Sequence, residues 1–207
     1  MNDHDHGSQR RGSPRVRIFV VAGLIAGLLG AYVGITALGD SDEPGGTTST
    51  LSVLTTVDST GDTGYYPSIT IGADGNPIIS YHDSSAGDLR VAKCIDPACT
   101  GSATLTTVDS AGSTGVDASI AIGVDGNPIM TYYYASAGDL RVAECIDPAC
   151  IGTATVTTVD STGDTGYNPS IAIGVDGNPI ISYFDKTAQD LSVAKCGTWC
   201  KSVVNSS

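Results

Sequence analysis

Histidine is nearly missing where chemistry would need it. Of three in 207 residues, His4 and His6 stand in the basic N-terminal stretch, and His82 alone lies in the rest of the chain. A Ser-His-Asp relay or a metal-activated water draws several histidines to one point, so neither is expected. Basic side chains are scarce too: ten Lys and Arg face 22 Asp and Glu, a formal charge of −12. The bias sharpens beyond residue 54, where 17 acidic residues face six basic ones. Such a surface repels phosphate backbones, which excludes nucleic acid as a partner. No segment beyond residue 50 spaces its apolar residues at a helical period, and strands and turns are left.

What is present is repetition. TTVDS recurs at Thr55, Thr106 and Thr157, and DGNP at Asp74, Asp125 and Asp176, which sets a period of 51 residues. The units are residues 55–105, 106–156 and 157–207. A period of this size marks an architecture in which each unit buries its core against its neighbours.

The chain ahead of the repeats divides into a basic tail (1–17), an apolar stretch (18–38) and a Gly-, Ser- and Thr-rich linker (39–50). Residues 18–38, IFVVAGLIAGLLGAYVGITAL, run 21 residues without a charge, the length of a membrane-spanning helix. Arg10, Arg11, Arg15 and Arg17 precede it, and Asp40, Asp42 and Glu43 follow. The positive-inside rule then predicts a single-pass cell-membrane protein, with its N-terminus cytoplasmic and its repeats outside. The alternative is a secreted protein, released by cleavage near Ala37-Leu38-Gly39. Gly23, Gly27, Gly30 and Gly34 fall on one helical stripe, a geometry for pairing with a second copy.

Each repeat reads as four short β-runs, in the first copy residues 68–72, 78–82, 89–94 and 104–108. Ile69 and Ile71 alternate with Thr70, and Leu89 and Val91 with Arg90 and Ala92, as in half-buried strands. DGNP turns the chain between the first two runs and DSSAGD between the next two. The cysteines pair within repeats, Cys94 with Cys99, Cys145 with Cys150 and Cys196 with Cys200. Outside the cytoplasm such close pairs predict disulfides, each stabilising by about 2 kcal/mol on loop entropy. Zinc needs about four ligands at one point, which pairs in separate repeats do not supply.

Four antiparallel strands per unit predict the blade of an all-β propeller, with a β-trefoil as the alternative. The run P-S-I-A-I-G-x-D-G-N-P-I-I-S-Y-x-D…G-D-L-x-V-A-K-C, matched at residues 67–94, 119–145 and 169–196, resembles bacterial β-propeller repeat arrays of the sialidase-type and Asp-box superfamily. The resemblance implies a fold and leaves function open. Sialidases clamp a carboxylate with arginines, one commonly at the start of an inner strand two residues before the proline. Here Tyr65, Val116 and Tyr167 hold those positions, so the resemblance does not extend to that activity. Closed propellers usually have four to eight blades. Three would close as half of a six-bladed ring made by a homodimer. Residues 51–58 read as a spare fourth strand, and residues 201–207 as a weak one.

Antiparallel order puts DGNP turns and cysteine loops at one end of each blade, and the inter-repeat linkers and second-to-third-strand turns at the other. Differences between the copies gather at this loop end. Tyr65, Tyr66, His82, Asp83, Asp117, Tyr133, Tyr134, Tyr167, Asn168, Phe184 and Asp185 form the candidate ligand-binding set. Aromatics beside carboxylates suit sugar stacking with hydroxyl hydrogen bonds. Tyr81, Tyr132 and Tyr183 recur unchanged and are expected to pack. Asp58 and Asp62, with Asp160 and Asp164, offer oxygens of the kind calcium takes, but Asx-turns account for them better and no cofactor is expected. The function predicted is a binding or adhesion module for a glycan or protein ligand, without catalysis. Its alternatives are a glycan-active hydrolase using loop carboxylates such as Asp83, Asp117 and Asp185, and a structural envelope module.

Overall fold

A computed structural model describes residues 54–197 and Cys200. The apolar stretch 18–38, the basic tail, the linker and residues 201–207 lie outside the described residues. Among the described residues no helix is long and apolar enough to cross a membrane.

Eleven strands follow one another: β1 (Thr63–Ile71), β2 (Pro77–Asp83), β3 (Asp88–Cys94), β4 (Ala103–Asp109), β5 (Val116–Ile122), β6 (Pro128–Tyr134), β7 (Asp139–Glu144), β8 (Thr155–Asp160), β9 (Thr165–Ile173), β10 (Pro179–Asp185) and β11 (Asp190–Lys195). They form three antiparallel meanders, β1-β2-β3-β4, β5-β6-β7-β8 and β9-β10-β11. These are three blades of a partial β-propeller, and three separate sheets replace the trefoil alternative. Residues 54–58 are in no strand, so the spare strand expected at 51–58 is not found in its described part.

Turn chemistry sets the register. In each DGNP turn the aspartate accepts from the asparagine N–H two residues on, as Asp74 Oδ1 does from Asn76 at 3.1 Å. Gly75 follows at φ +81°, where a side chain would be strained. At the far end of blade 1, Asp83 Oδ1 accepts from the N–H groups of Ser85 and Ala86 and closes the β2–β3 hairpin. Each cysteine loop is bridged as expected. Asp96 organises the first of them, accepting from the Ala98, Thr100 and Gly101 N–H groups.

The core lies between blades rather than inside one. Leu89 and Val91 of β3 pack with Ala118, Ile120, Met130 and Tyr132 of blade 2. Leu140 and Val142 of β7 pack in the same way with Ile181 and Tyr183 of blade 3. Across each seam a buried tyrosine hydroxyl donates to an aspartate at the end of the preceding blade: Tyr132 to Asp109 at 2.6 Å and Tyr183 to Asp160 at 2.8 Å. Tyr81 makes the same bond to Asp58 at 2.7 Å. The three recurring tyrosines are thus packing residues with a polar anchor.

Candidate functional site

The three first strands β1, β5 and β9 lie beside one another, and each breaks its register at the loop end. The break falls at Tyr66 (φ 49°), Asp117 (φ 54°) and Asn168 (φ 47°), the same repeat position three times. Bulges re-aim side chains, and a bulky residue such as tyrosine at positive φ is an outlier that a scaffold must hold in place. Sequence reading singles out these three residues for varying between copies. The structure adds that they share one backbone device. Asp117 Oδ2 also reaches across a seam and accepts from the Asn168 N–H at 3.3 Å.

A second cluster adjoins it. Tyr133 of β6 stacks on Tyr167 of β9 with ring centroids 4.1 Å apart. The Tyr133 hydroxyl lies 2.8 Å from both Asp164 Oδ1 and the Tyr167 hydroxyl. Lys186 binds Asp164 at 2.7 Å and sits over the Tyr167 ring, 4.9 Å from its centroid. The Lys186 ammonium and the Tyr133 hydroxyl together hold the Asp164 carboxyl below the usual carboxylate range. Burial, with Tyr167 and Asp164 beside it, pushes the Tyr133 hydroxyl up. The result is an ionised carboxylate with aromatic walls.

The other candidates are placed differently. Asp83 and Asp185 are turn caps, Asp185 accepting from the Thr187 and Ala188 N–H groups. Asp83 shares Arg90 with Asp58, at 3.3 and 3.0 Å. His82 is buried, and its Nδ1–H donates to the Thr114 carbonyl across the first seam at 2.6 Å. Tyr134 lies against Arg141, whose guanidinium carbon is 3.4 Å from the ring centroid. Tyr65, Tyr66 and Phe184 are exposed. The loop end therefore does two jobs, and position 82/133 mainly contacts the next blade.

Asp58 and Asp160 accept from the N–H two residues on, at 2.9 and 3.0 Å, the Asx-turn expected of them, and Asp109 does the same at 3.0 Å. Asp62 instead accepts from the Tyr65 hydroxyl, and Asp164 from Tyr133 and Lys186. Among the described residues no cluster of three or more His, Cys, Asp or Glu could hold a metal ion.

Two residues of interest are absent from the sequence-derived set. Asp164 is one; its repeat partner Ser113 signals that the position changes character. Glu144 is the other. It stands where repeats 1 and 3 carry Lys93 and Lys195, which bind Asp74 and Asp176 at 2.7 Å. Burial pushes the Glu144 carboxyl up, and the charge of Asp125 adds to the effect.

No family model matches the chain, and no curated protein matches it. Solved structures do. A protein of unknown function from Dyadobacter fermentans is 13% identical over 62% of this chain and 36% of its own, with a TM-score of 0.48. An alpha-L-arabinofuranosidase from Lactobacillus brevis is 10% identical over 65% of this chain and 50% of its own, also at 0.48. A thermostable family-43 glycoside hydrolase is 14% identical over 68% and 50%, again at 0.48. The chain spans a third to a half of the length of these structures, and no residue role is carried across from them. Those named for an activity are glycoside hydrolases. The expectation of a binding or adhesion module that is no enzyme is corrected on that finding, which is a likeness of fold at 10–14% identity.

Proposed function

We propose that this chain supplies part of a glycan-active hydrolase, with Asp117 and Asp164 as the reacting carboxylates. One observation carries the reading: the two flank the β9 bulge, Asp117 on the Asn168 N–H and Asp164 on the Tyr133 and Tyr167 hydroxyls. Glycoside hydrolysis uses one carboxyl as an acid and a second as a base or nucleophile. Asp164, held ionised by Lys186 and Tyr133, suits the second role. Asp117 would donate its proton to the leaving oxygen as the glycosidic bond breaks. Asp164 would take a proton from the attacking water as its oxygen bonds to the anomeric carbon, or itself bond to that carbon until water, deprotonated by Asp117, displaces it. Tyr66 and Phe184, exposed at the same end, offer faces for sugar rings.

The test is turnover of an aryl glycoside panel that includes α-L-arabinofuranosides, using the oxidised full-length chain. Asp117→Asn and Asp164→Asn are each expected to lower kcat by about 10²–10⁴-fold, the usual worth of positioned acid-base groups. Asp176→Asn, at the opposite end of its blade, is expected to leave turnover unchanged. An inert panel, or turnover indifferent to both loop-end changes, would refute the assignment.

A further inference from the structure

Leu89 and Val91 of blade 1 are 0% exposed, as are Leu140 and Val142 of blade 2. Their counterparts in blade 3, Leu191 and Val193, are 80% and 60% exposed. The strands are alike in sequence, and the neighbour makes the difference. Leu89 and Val91 form a plug whose socket is made by Met130, Tyr132 and Ala143 of blade 2, with Val108 of β4 packed beside it. Leu140 and Val142 fill the corresponding socket of blade 3, made by Ile181, Tyr183 and Ala194, with Val159 of β8 packed beside it.

The same socket exists, unfilled, on blade 1. Val57, Gly64, Ile79, Tyr81 and Ala92, each 51 residues before a counterpart at the seam of blades 1 and 2, line a cavity of about 190 Å³. The glycines report the same thing. A Cβ on Gly115 would lie 2.8 Å from Leu89 Cα, and one on Gly166 2.7 Å from Leu140 Cα, whereas one on Gly64 would meet nothing within 4 Å. Ile69 at this face is 62% exposed, against 7% for Ile120. On blade 3 the outgoing face carries a second cavity of about 240 Å³, between Ser170, Ile171, Ile180 and Val193. The two cavities are therefore two halves of one contact that the chain already makes twice.

The polar contacts follow the same series. The Ile120 N–H donates to Ser68 Oγ and the Ile171 N–H to Ser119 Oγ, both at 3.3 Å, so the next member joins Ile69 to Ser170. The Thr114 N–H donates to the Gly87 carbonyl and the Thr165 N–H to that of Gly138, so the next joins Thr63 to Gln189.

We propose that the occupant of both open faces is a second copy of this chain, docked head to tail. The Leu191 and Val193 plug of each copy fills the blade 1 socket of the other, and the reciprocal contacts close a two-fold ring of six blades. Six lies within the four to eight that closed propellers use. Each residue pair of the contact then occurs twice, as two-fold symmetry requires. Two positions depart from the series: Phe184 stands where His82 and Tyr133 hydrogen-bond across their seams, and Gln189 where repeats 1 and 2 carry glycine. A Cβ at those glycines would lie 3.4 Å from the Gly112 carbonyl oxygen and 3.2 Å from Asp164 Oδ1, so glutamine fits with a small adjustment.

Light scattering on the oxidised full-length chain in mild detergent tests the proposal. The unaltered chain is expected at the mass of two copies, with Gln189→Gly tightening the association. Leu191→Asp and Ile69→Asp, at positions exposed in the single chain, are each expected to weaken it at least about a hundredfold by burying an unpaired charge. An equimolar mixture of the two variants keeps one undamaged contact and regains pairing. Unchanged circular dichroism of each variant checks the fold. A single-chain mass for the unaltered protein would overturn the proposal. So would association indifferent to both aspartates, which would place it at another surface such as residues 18–38. A mass that climbs without limit would overturn the closed ring.

Discussion

Replacing Leu140 by alanine tests whether the fold is held between its blades. Leu140 is fully buried between blades 2 and 3. Large-to-small changes at such sites cost about 2–5 kcal/mol, depending on how far the wall can collapse into the space. Here it can collapse little. Gly166 already presses its backbone against Leu140, with the position of a Cβ 2.7 Å from Leu140 Cα. The expected cost is in the upper half, about 3–5 kcal/mol. With a urea dependence of about 2 kcal/mol per molar, the midpoint falls by about 1.5–2.5 M. The same change at Leu191, same repeat position and 80% exposed, is expected to cost less than about 0.5 kcal/mol in a dilute single chain. The assay is urea unfolding of the oxidised chain followed by circular dichroism, over a range of protein concentrations. The cost of Leu191→Ala should grow with concentration as its socket on a second copy fills, while that of Leu140→Ala should persist at every concentration. A Leu140→Ala cost below about 1.5 kcal/mol, or equal costs at both positions in dilute protein, would refute the reasoning.

Glu144→Lys restores the pairing that Lys93 and Lys195 make in the other repeats and should stabilise the chain at neutral pH, by up to about 1 kcal/mol. The gain has a pH signature. The folded-state pKa of Glu144 is raised above its ordinary 4.5 by burial, so its protonation favours folding, and that contribution is lost as pH rises through the folded value. Thermal melts of the neutral variant Glu144→Gln against the parent should therefore coincide well below pH 4.5 and separate above it, with the variant the more stable. Tyr132→Phe removes the hydroxyl donor from Asp109 and leaves that carboxylate to Arg141 at 3.3 Å and the Ala111 N–H at 3.0 Å. A hydrogen bond to a charged group is worth about 1.5–3 kcal/mol. Melting should fall by roughly 4–9 °C, and an unchanged melting temperature would show that Arg141 and the Ala111 N–H suffice.

Strand positions were legible because each repeat alternates apolar and polar residues between strong turn signals. The expected run 89–94 in repeat 1 differs from β3 (Asp88–Cys94) by one residue. The cysteine pairs were legible from spacing alone. Burial was not. Leu191 sits in the same local pattern as Leu89 and Leu140, and only a neighbour across a seam separates 0% from 80% exposure. Variation between copies was also ambiguous. His82 and Tyr133 differ because each matches a different surface on the next blade, the Thr114 carbonyl for one and Asp164 with Tyr167 for the other. Those partners lie 31 to 34 residues away in the chain, beyond any local reading. Asp164 reads from sequence as a turn residue for the same reason, since its meaning depends on Tyr133 and Lys186.

The plug and socket also bear on how such a chain changes over generations. Every seam uses one leucine, one valine and one matching hollow, so neighbouring units are interchangeable parts. Gaining or losing a whole 51-residue unit would create no new kind of seam, and ring size would follow from the turn between blades rather than from a dedicated sequence. A change in one plug has to be answered only by the adjoining hollow, which penalises drift there in all units alike. The loop ends carry no such shared obligation. Tyr66, Asp117 and Asn168 could part company in chemistry while their blades stayed nearly identical, which leaves three different side chains standing on one inherited frame.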